Sequence, residues 1–304
     1  MINSKTKVAV VFGGRSVEHE VSILTAMQVF ENINREKYDI IPVYIDKNGR
    51  WFVDEKLGMI DSFRNLKLKE INAPEYFFAV SPSVKSLLPK STIKSFFNKI
   101  SADIYFPVIH GTYGEDGTLQ GMLEMANVPY AGSGVTGSAV GMDKIIQKAV
   151  FKDAGLSVVK YVWFLKSEWQ DNKVKIIENI EKTLGYPVFV KPANLGSSIA
   201  INKASGLKEL EWAIEVASSF DRRIIVEEGK EGIIEINCSV IGNNNELTAS
   251  VCEQPIKSDQ MLTYEDKYLK GGKIKGMAGL SRFVPAPINE ELTKKIQDMA
   301  KRAF

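Results

Sequence analysis

The feature that most restricts this chain is an alternation near its amino end between short apolar runs and one helix-length stretch. VAVVF (Val8 to Phe12), DIIPVYI (Asp39 to Ile45) and DIYFPVI (Asp103 to Ile109) read as buried strands, and the stretch from Val17 to Asn32 has helical spacing. Strand, helix and strand in that order make a βαβ unit, which predicts a mostly parallel sheet flanked by helices. Such sheets carry ligands at the carboxyl ends of their strands. Gly13-Gly14 follows the first run and His110-Gly111 the third, so both loops are expected on the ligand-facing edge.

Residues 54 to 102 carry a weaker pattern and are expected to form a helical, surface-facing elaboration. Ala131 to Gly134 is glycine-rich and reads as a junction, followed by a predicted helix from Ser138 to Ala154. Beyond it YVWF, YPVFVK, SIAIN and RIIVEE read as strands, with a helix from Leu207 to Ser218. From Ile233 the chain alternates through EINCSVIG, turns at Asn243 to Asn245 and returns through ELTASVCEQPI, a hairpin pattern. A loop rich in glycine and lysine follows from Tyr264 to Met277, then a helix from Asn289. A chain of 304 residues exceeds the usual domain size of about 100 to 200, so two or three units are expected, and the junction at Ala131 to Gly134 with the hairpin pattern after Ile233 divides the chain into three. They are an α/β unit over 1–132, an α+β unit over 133–227 and a further unit over 228–304.

The formal charge is only +2, from 39 basic and 37 acidic residues, which argues against a nucleic-acid partner and makes any anion site local. Val8 to Phe12 is too short for a signal-peptide core or a membrane span, and no later run is long enough for either, so a cytoplasmic protein is expected. Cys238 and Cys252 form no metal pattern; sparse usage suits a reducing compartment, with both thiols buried and inert.

Three segments offer chemistry. In GGRSVEHEVS (Gly13 to Ser22) the glycines allow a tight turn, Ser16 can cap the helix, and Glu18 and Glu20 fall in its first turn. The bland alternative is that these acids merely complement the helix dipole. HGTYGEDG (His110 to Gly117) crowds a histidine, two acids and three glycines at a strand end, against the alternative of a turn with solvated acids and a structural His110. In FVKPANLGSSIAI (Phe189 to Ile201) a strand ends at Lys191, and Gly196, Ser197 and Ser198 form a loop whose N–H groups and hydroxyls suit a triphosphate; a polar hairpin tip is the alternative. Lys144, Glu227, Glu228 and the TYEDKYLKGG stretch with Lys267 and Tyr268 are individually weak signals.

In combination and order, GGRSVEHEVS, HGTYGEDGTLQG, GMDK, VKPANLGSSIAI, VEEG and LTYEDKYL resemble the signature series of D-alanine-D-alanine ligases within the ATP-grasp superfamily. The resemblance implies a Rossmann-like N-terminal substrate domain followed by central and C-terminal ATP-grasp domains. Lys144 and Lys191 match phosphate-binding lysines, Gly196, Ser197 and Ser198 the loop over the phosphates, and Glu227 the adenosine-site glutamate, with Glu228 as a fallback. Glu235 and Lys267 are assigned to the same ATP site. Glu18 matches the group that receives the ammonium of the first D-alanine, with Ser197 and Tyr268 as its companions and His110 beside the substrate. ATP phosphorylates one D-alanine carboxylate, and the second D-alanine's amine attacks the acyl phosphate, with Mg2+ or Mn2+ screening the transferring group. The product implied is a peptidoglycan precursor, and a homodimer is expected.

The chain departs from the family pattern at Ala200, commonly glycine, and at Ile234, commonly arginine before Glu235. The family's R-x-D strand and N-E-x-N segment, which carry an arginine and the metal ligands, do not occur, so no metal ligand is named. The C-terminal domain is expected to be incomplete and the 304 residues inactive in ligation. Rival readings are a non-catalytic binder of ATP and amino acid, and another ATP-grasp ligase such as a D-alanine-D-serine ligase. The Lys267-Tyr268 pair argues against a D-lactate acceptor.

Overall fold

The structure, a computed structural model, describes residues 5–63, 72–90, 98–243, 246–256 and 282–304. The chain divides into two compact units, Met1–Met142 and Asp143–Phe304.

The first unit is built on a six-stranded sheet in the order β5-β4-β3-β2-β1-β6. Its strands are β1 (Thr6–Gly13), β2 (Tyr38–Ile45), β3 (Trp51–Val53), β4 (Glu75–Phe78), β5 (Leu87–Pro89) and β6 (Ile104–Pro107). As the apolar runs predict, β1 pairs in parallel with β2 on one side and β6 on the other. Helix α1 (His19–Asn32) supplies the crossover and buries Ile23, Ala26, Met27 and Phe30 against Val8, Val10 and Phe12 of β1. On the opposite face Ala9, Val11 and Tyr105 pack with Leu119 and Leu123 of α2 (Thr118–Met125). Every second residue of β1 thus serves one face, as period-2 geometry requires. The burial of β1 on both faces is why its sequence is a continuous apolar run.

The described part of residues 54 to 102 is not the helical elaboration expected of the stretch. It contains β4 and β5, which with β3 extend the sheet through antiparallel pairings, and two 3-10 turns at Glu55–Gly58 and Ile60–Phe63. These strands are three or four residues long, too short for alternation to be counted, and the sheet is therefore mixed.

The helix predicted from Ser138 to Ala154 is two helices, α3 (Val135–Met142) and α4 (Lys144–Asp153). The chain leaves helical geometry at Asp143, whose carboxylate accepts the N–H groups of Ile145 and Ile146 as an N-cap and also meets the Arg223 guanidinium. The second unit carries an antiparallel sheet ordered β7-β10-β8-β9, made of β7 (Tyr161–Leu165), β8 (Val188–Pro192), β9 (Asn202–Ala204) and β10 (Arg223–Glu228). One face, with Phe164, Val188, Val190, Ile224 and Val226, is covered by α5 (Lys166–Thr183) and α6 (Leu207–Phe220). Among the described residues, the other face bears Ile225 and Ala193, which pack with Ile145 of α4 and with Tyr161 of β7. That thinly covered face is where charged side chains can gather.

The expected hairpin is present as β11 (Val240–Asn243) paired with β12 (Glu246–Ala249). A short pairing of β13 (Gln254–Pro255) with β14 (Arg282–Phe283) follows, and α7 (Glu290–Ala303) starts where expected, capped by Asn289. Cys252 is buried, whereas Cys238 is only half-buried, with its thiol donating to the Ser250 carbonyl. The two cysteines flank the paired residues Asn237 and Glu253 on opposing strands, so the expectation of two buried thiols holds for one.

Candidate active site

At the carboxyl end of β1 the chain turns through Gly13 and Gly14 into α1. Ser16 does not cap the helix as expected, because the N-cap position falls on Glu18; the Ser16 hydroxyl instead accepts the Glu18 N–H at 3.0 Å and tightens the turn ahead of it. The two acids of this turn part company. Glu20 is exposed and pairs with Lys47 at 2.5 Å, while Glu18 is 1% exposed. A carboxylate at that depth beside a helix N-terminus is held by fixed dipoles rather than by water. His19 is also buried, sharing its ring nitrogens between the Gly14 carbonyl and the Tyr44 hydroxyl, which fastens the turn to β2.

Gly111 closes this corner. Its φ is +78°, and a Cβ there would lie 2.4 Å from Glu18 Oε2 and 2.5 Å from Ser16 Oγ. Only a glycine lets the loop after β6 pass so close to the carboxylate. The acids of the same loop hold its backbone in place, although Glu115 is exposed. Glu115 accepts the Gly111 N–H at 2.6 Å, and Asp116 accepts from Tyr113 N at 2.8 Å and from the Thr118 hydroxyl at 2.6 Å. His110 meets the Thr25 hydroxyl at 2.8 Å and lines a cleft of about 580 Å³ with Thr25, Glu115, Gln120, Ser133 and Ser138. A pocket of this size with scattered polar groups suits a small polar molecule.

The second unit gathers its charges on the open sheet face. Because β10 pairs with β8 so that Ile225 faces Lys191 and Glu227 faces Phe189, Lys191 and Glu227 lie diagonally on that face. The Lys191 ammonium donates to Glu227 Oε2 at 2.5 Å, and Lys148 of α4 reaches Oε1 at 3.1 Å. Burial alone raises the Glu227 carboxyl, but the two lysines outweigh it and the net shift is downward. Lys144 opens α4 and donates to the Leu195 carbonyl. Burial, and then the nearby Lys191 charge, lower its ammonium to about 8. Among the described residues three ammonium groups converge here, with Glu227 bonded to two of them and Asp143 and Asp221 acting on Lys144 from further off, an arrangement that favours an anion.

Ser197 and Ser198 sit between β8 and β9 with φ of +49° and +60°, and Ala200 follows at +56°. Only Asn202–Ala204 of the predicted SIAIN strand is extended, since left-handed residues cannot continue a ladder. Glu228 turns to solvent and pairs with Lys230 at 2.6 Å, while Glu235 lies on the irregular stretch before β11. Lys267 and Tyr268 lie outside the described residues, as does the loop from Tyr264 to Met277. Among the described residues no three His, Cys, Asp or Glu side chains stand together as a metal site, and no helix is long and apolar enough to cross a membrane. Sequence reasoning overlooked Lys148, although its i, i+4 spacing from Lys144 puts both on one face of a helix.

Family models described as the D-ala D-ala ligase N-terminus and C-terminus match residues 7–133 and 150–304. A D-alanine-D-alanine ligase of Bacillus cytotoxicus is 41% identical over 305 aligned residues, covering 99% of this chain and 79% of the relative. One from Natranaerobius thermophilus is 40% identical over 302, covering 99% and 78%. Among solved structures, the VanG D-Ala:D-Ser ligase of Enterococcus faecalis superposes with a TM-score of 0.78 at 36% identity, over 99% of this chain and 82% of that one. The D-alanine-D-alanine ligase of Coxiella burnetii gives 0.78 at 29% identity, over 99% and 76%. Two family models that together span nearly all of the sequence, and relatives of 40% identity along its length, place this chain in the D-alanine-D-alanine ligase family.

Proposed function

We propose that the protein joins two D-alanine molecules at the expense of ATP, making the dipeptide for peptidoglycan precursors in the cytoplasm. The observation that carries the ATP half is the convergence of Lys144, Lys148 and Lys191 on a half-buried sheet face, where Glu227 pairs with Lys148 and Lys191. Lys144 and Lys191 are placed to grip phosphates, and the Gly196 to Ser198 loop to lie over them. Glu18, buried beside Gly111, is the natural acceptor of the D-alanine ammonium, with His110 and its cleft next to it.

Phosphorylation turns a carboxylate oxygen, a poor leaving group, into phosphate, a good one, and a second amine then attacks. Ser197 and Tyr268 are assigned to positioning that amine, with Lys267 and Glu235 on the nucleotide side. The divalent cation of such ligases screens charge on the transferring phosphoryl group. The described residues offer no acidic cluster for it, and no step is assigned to it here. The three-domain layout with boundaries at 132/133 and 227/228, and a homodimer, belong to the same reading.

A phosphate-release assay with ATP, Mg2+ and D-alanine tests the reaction, and calorimetry with ADP and with D-alanine tests the two sites. The reading fails if the protein binds neither ligand. D-serine as the second substrate is the alternative, since the Enterococcus faecalis D-Ala:D-Ser ligase superposes as well as the Coxiella burnetii D-alanine-D-alanine ligase. Competition between D-alanine and D-serine in the dipeptide product separates the two.

A further inference from the structure

We infer that Lys148 is a positioning residue of the phosphate site: it takes over the charge of Glu227 when Lys191 turns to a phosphate. This rests on the nucleotide reading of the second unit and adds a residue to it. Glu227 is 7% exposed and sits between two ammonium groups, Lys191 at 2.5 Å from Oε2 and Lys148 at 3.1 Å from Oε1. A polyphosphate that docks on Lys191 competes with Glu227 for that ammonium. The carboxylate cannot turn to water, so without a second counterion the phosphate would be bound at the cost of a bare buried charge.

Lys148 removes that conflict. It lies one helical turn after Lys144, so α4 presents one lysine to the Leu195 carbonyl and one to Glu227. Its side chain is 14% exposed, and its ammonium stands 5.7 Å over the Tyr161 ring, which is directly opposite Glu227 in the β10 to β7 ladder. Aromatic face, carboxylate and helix together hold it on the Glu227 side of the cluster. Lys191 pairs with the other oxygen, so it is the lysine that can exchange partners while Lys148 stays.

The test is calorimetric binding of ADP and of inorganic tripolyphosphate to the 304-residue protein and its Lys148→Met, Lys148→Arg, Glu227→Gln and Lys148→Met/Glu227→Gln variants. Lys148→Met should weaken both ligands about tenfold or more, and Lys148→Arg should restore most of that loss. Once Glu227 is neutral, Lys148→Met should change little further, because the coupling runs through the carboxylate. The inference is overturned if Lys148→Met binds both ligands like the parent. Weakening of ADP alone would also overturn it, as would an equal loss with Gln at 227, which would mean that Lys148 touches the ligand itself. If the parent binds neither ligand, the nucleotide reading falls and this inference with it; if the parent binds and the variants do not differ, only the inference falls.

Discussion

Replacing Gly111 by alanine should damage the Glu18 corner far more than an alanine substitution at an equally left-handed glycine elsewhere. The added Cβ would lie 2.4 Å from Glu18 Oε2 and 2.5 Å from Ser16 Oγ, both well inside van der Waals contact. Holding alanine at φ near +78° costs about 1 kcal/mol. Displacing a buried carboxylate from its place adds about 1 to 3 kcal/mol, for a total of about 2 to 4. Gly185 provides the calibration, because its φ is +68° and nothing lies within 4 Å of an added Cβ, so Gly185→Ala carries only the backbone cost. Urea unfolding should rank the two variants in that order. Calorimetry should show D-alanine affinity about tenfold or more weaker in Gly111→Ala and unchanged in Gly185→Ala. The reasoning is refuted if Gly111→Ala unfolds like Gly185→Ala and binds D-alanine like the parent, since Glu18 would then not depend on the close pass of the loop.

Asp143→Ala should cost about 2 to 4 kcal/mol in urea unfolding, because it deletes the cap of α4 and strips the Arg223 guanidinium of its carboxylate; Asp143→Asn should recover the capping share of about 1 kcal/mol. Lys144, lowered by burial and by Lys191, is charged below about 8 and neutral above, so ADP affinity should fall as pH rises through that value and the fall should vanish in Lys144→Met. By linkage, the cost of burying that ammonium is present in full below about 8 and is relieved as pH climbs toward the ordinary 10.5, which a pH series of Lys144→Met against the parent should show as a shrinking stability gain. A thiol reagent at neutral pH should modify Cys238 quickly and Cys252 only on unfolding, since Cys252 is 1% exposed with its thiol pushed up by burial; Cys238→Ser should remove the fast phase.

The parallel heart of the first unit was legible because β1, β2 and β6 are buried on both faces and read as unbroken apolar runs. The short antiparallel strands were not. Trp51–Val53, Glu75–Phe78 and Leu87–Pro89 are held by antiparallel pairing with the neighbouring strand, and three or four residues give no countable period. The break at Asp143 was readable in principle. An aspartate two residues ahead of an amphipathic run is a capping signal, but the apolar residues on either side concealed it. The left-handed residues at Ser197, Ser198 and Ala200 explain why SIAIN, rich in β-formers, stays out of the sheet until Asn202.

For the site, adjacent acids with the same local signal divide by geometry. Glu18 and Glu20 share one turn, yet one is buried against Gly111 and the other meets Lys47 at the surface. Glu227 and Glu228 divide in the same way, and here strand parity supplies the reason. Ile224 and Val226 point into the helix-covered core, so Ile225 and Glu227 must point to the open face, where Lys191 also lies because it pairs with Ile225. Glu228 has the parity of Val226 and reaches Lys230 only because it stands at the strand end, clear of the core. It therefore cannot replace Glu227 as the partner of Lys148 and Lys191, since reaching them would require slipping β10 by one residue, which would drive Ile225 and Glu227 into the helix-covered face. Parity alone selects Glu227 within its pair; the cross-strand register, which no local pattern encodes, adds which lysines meet it.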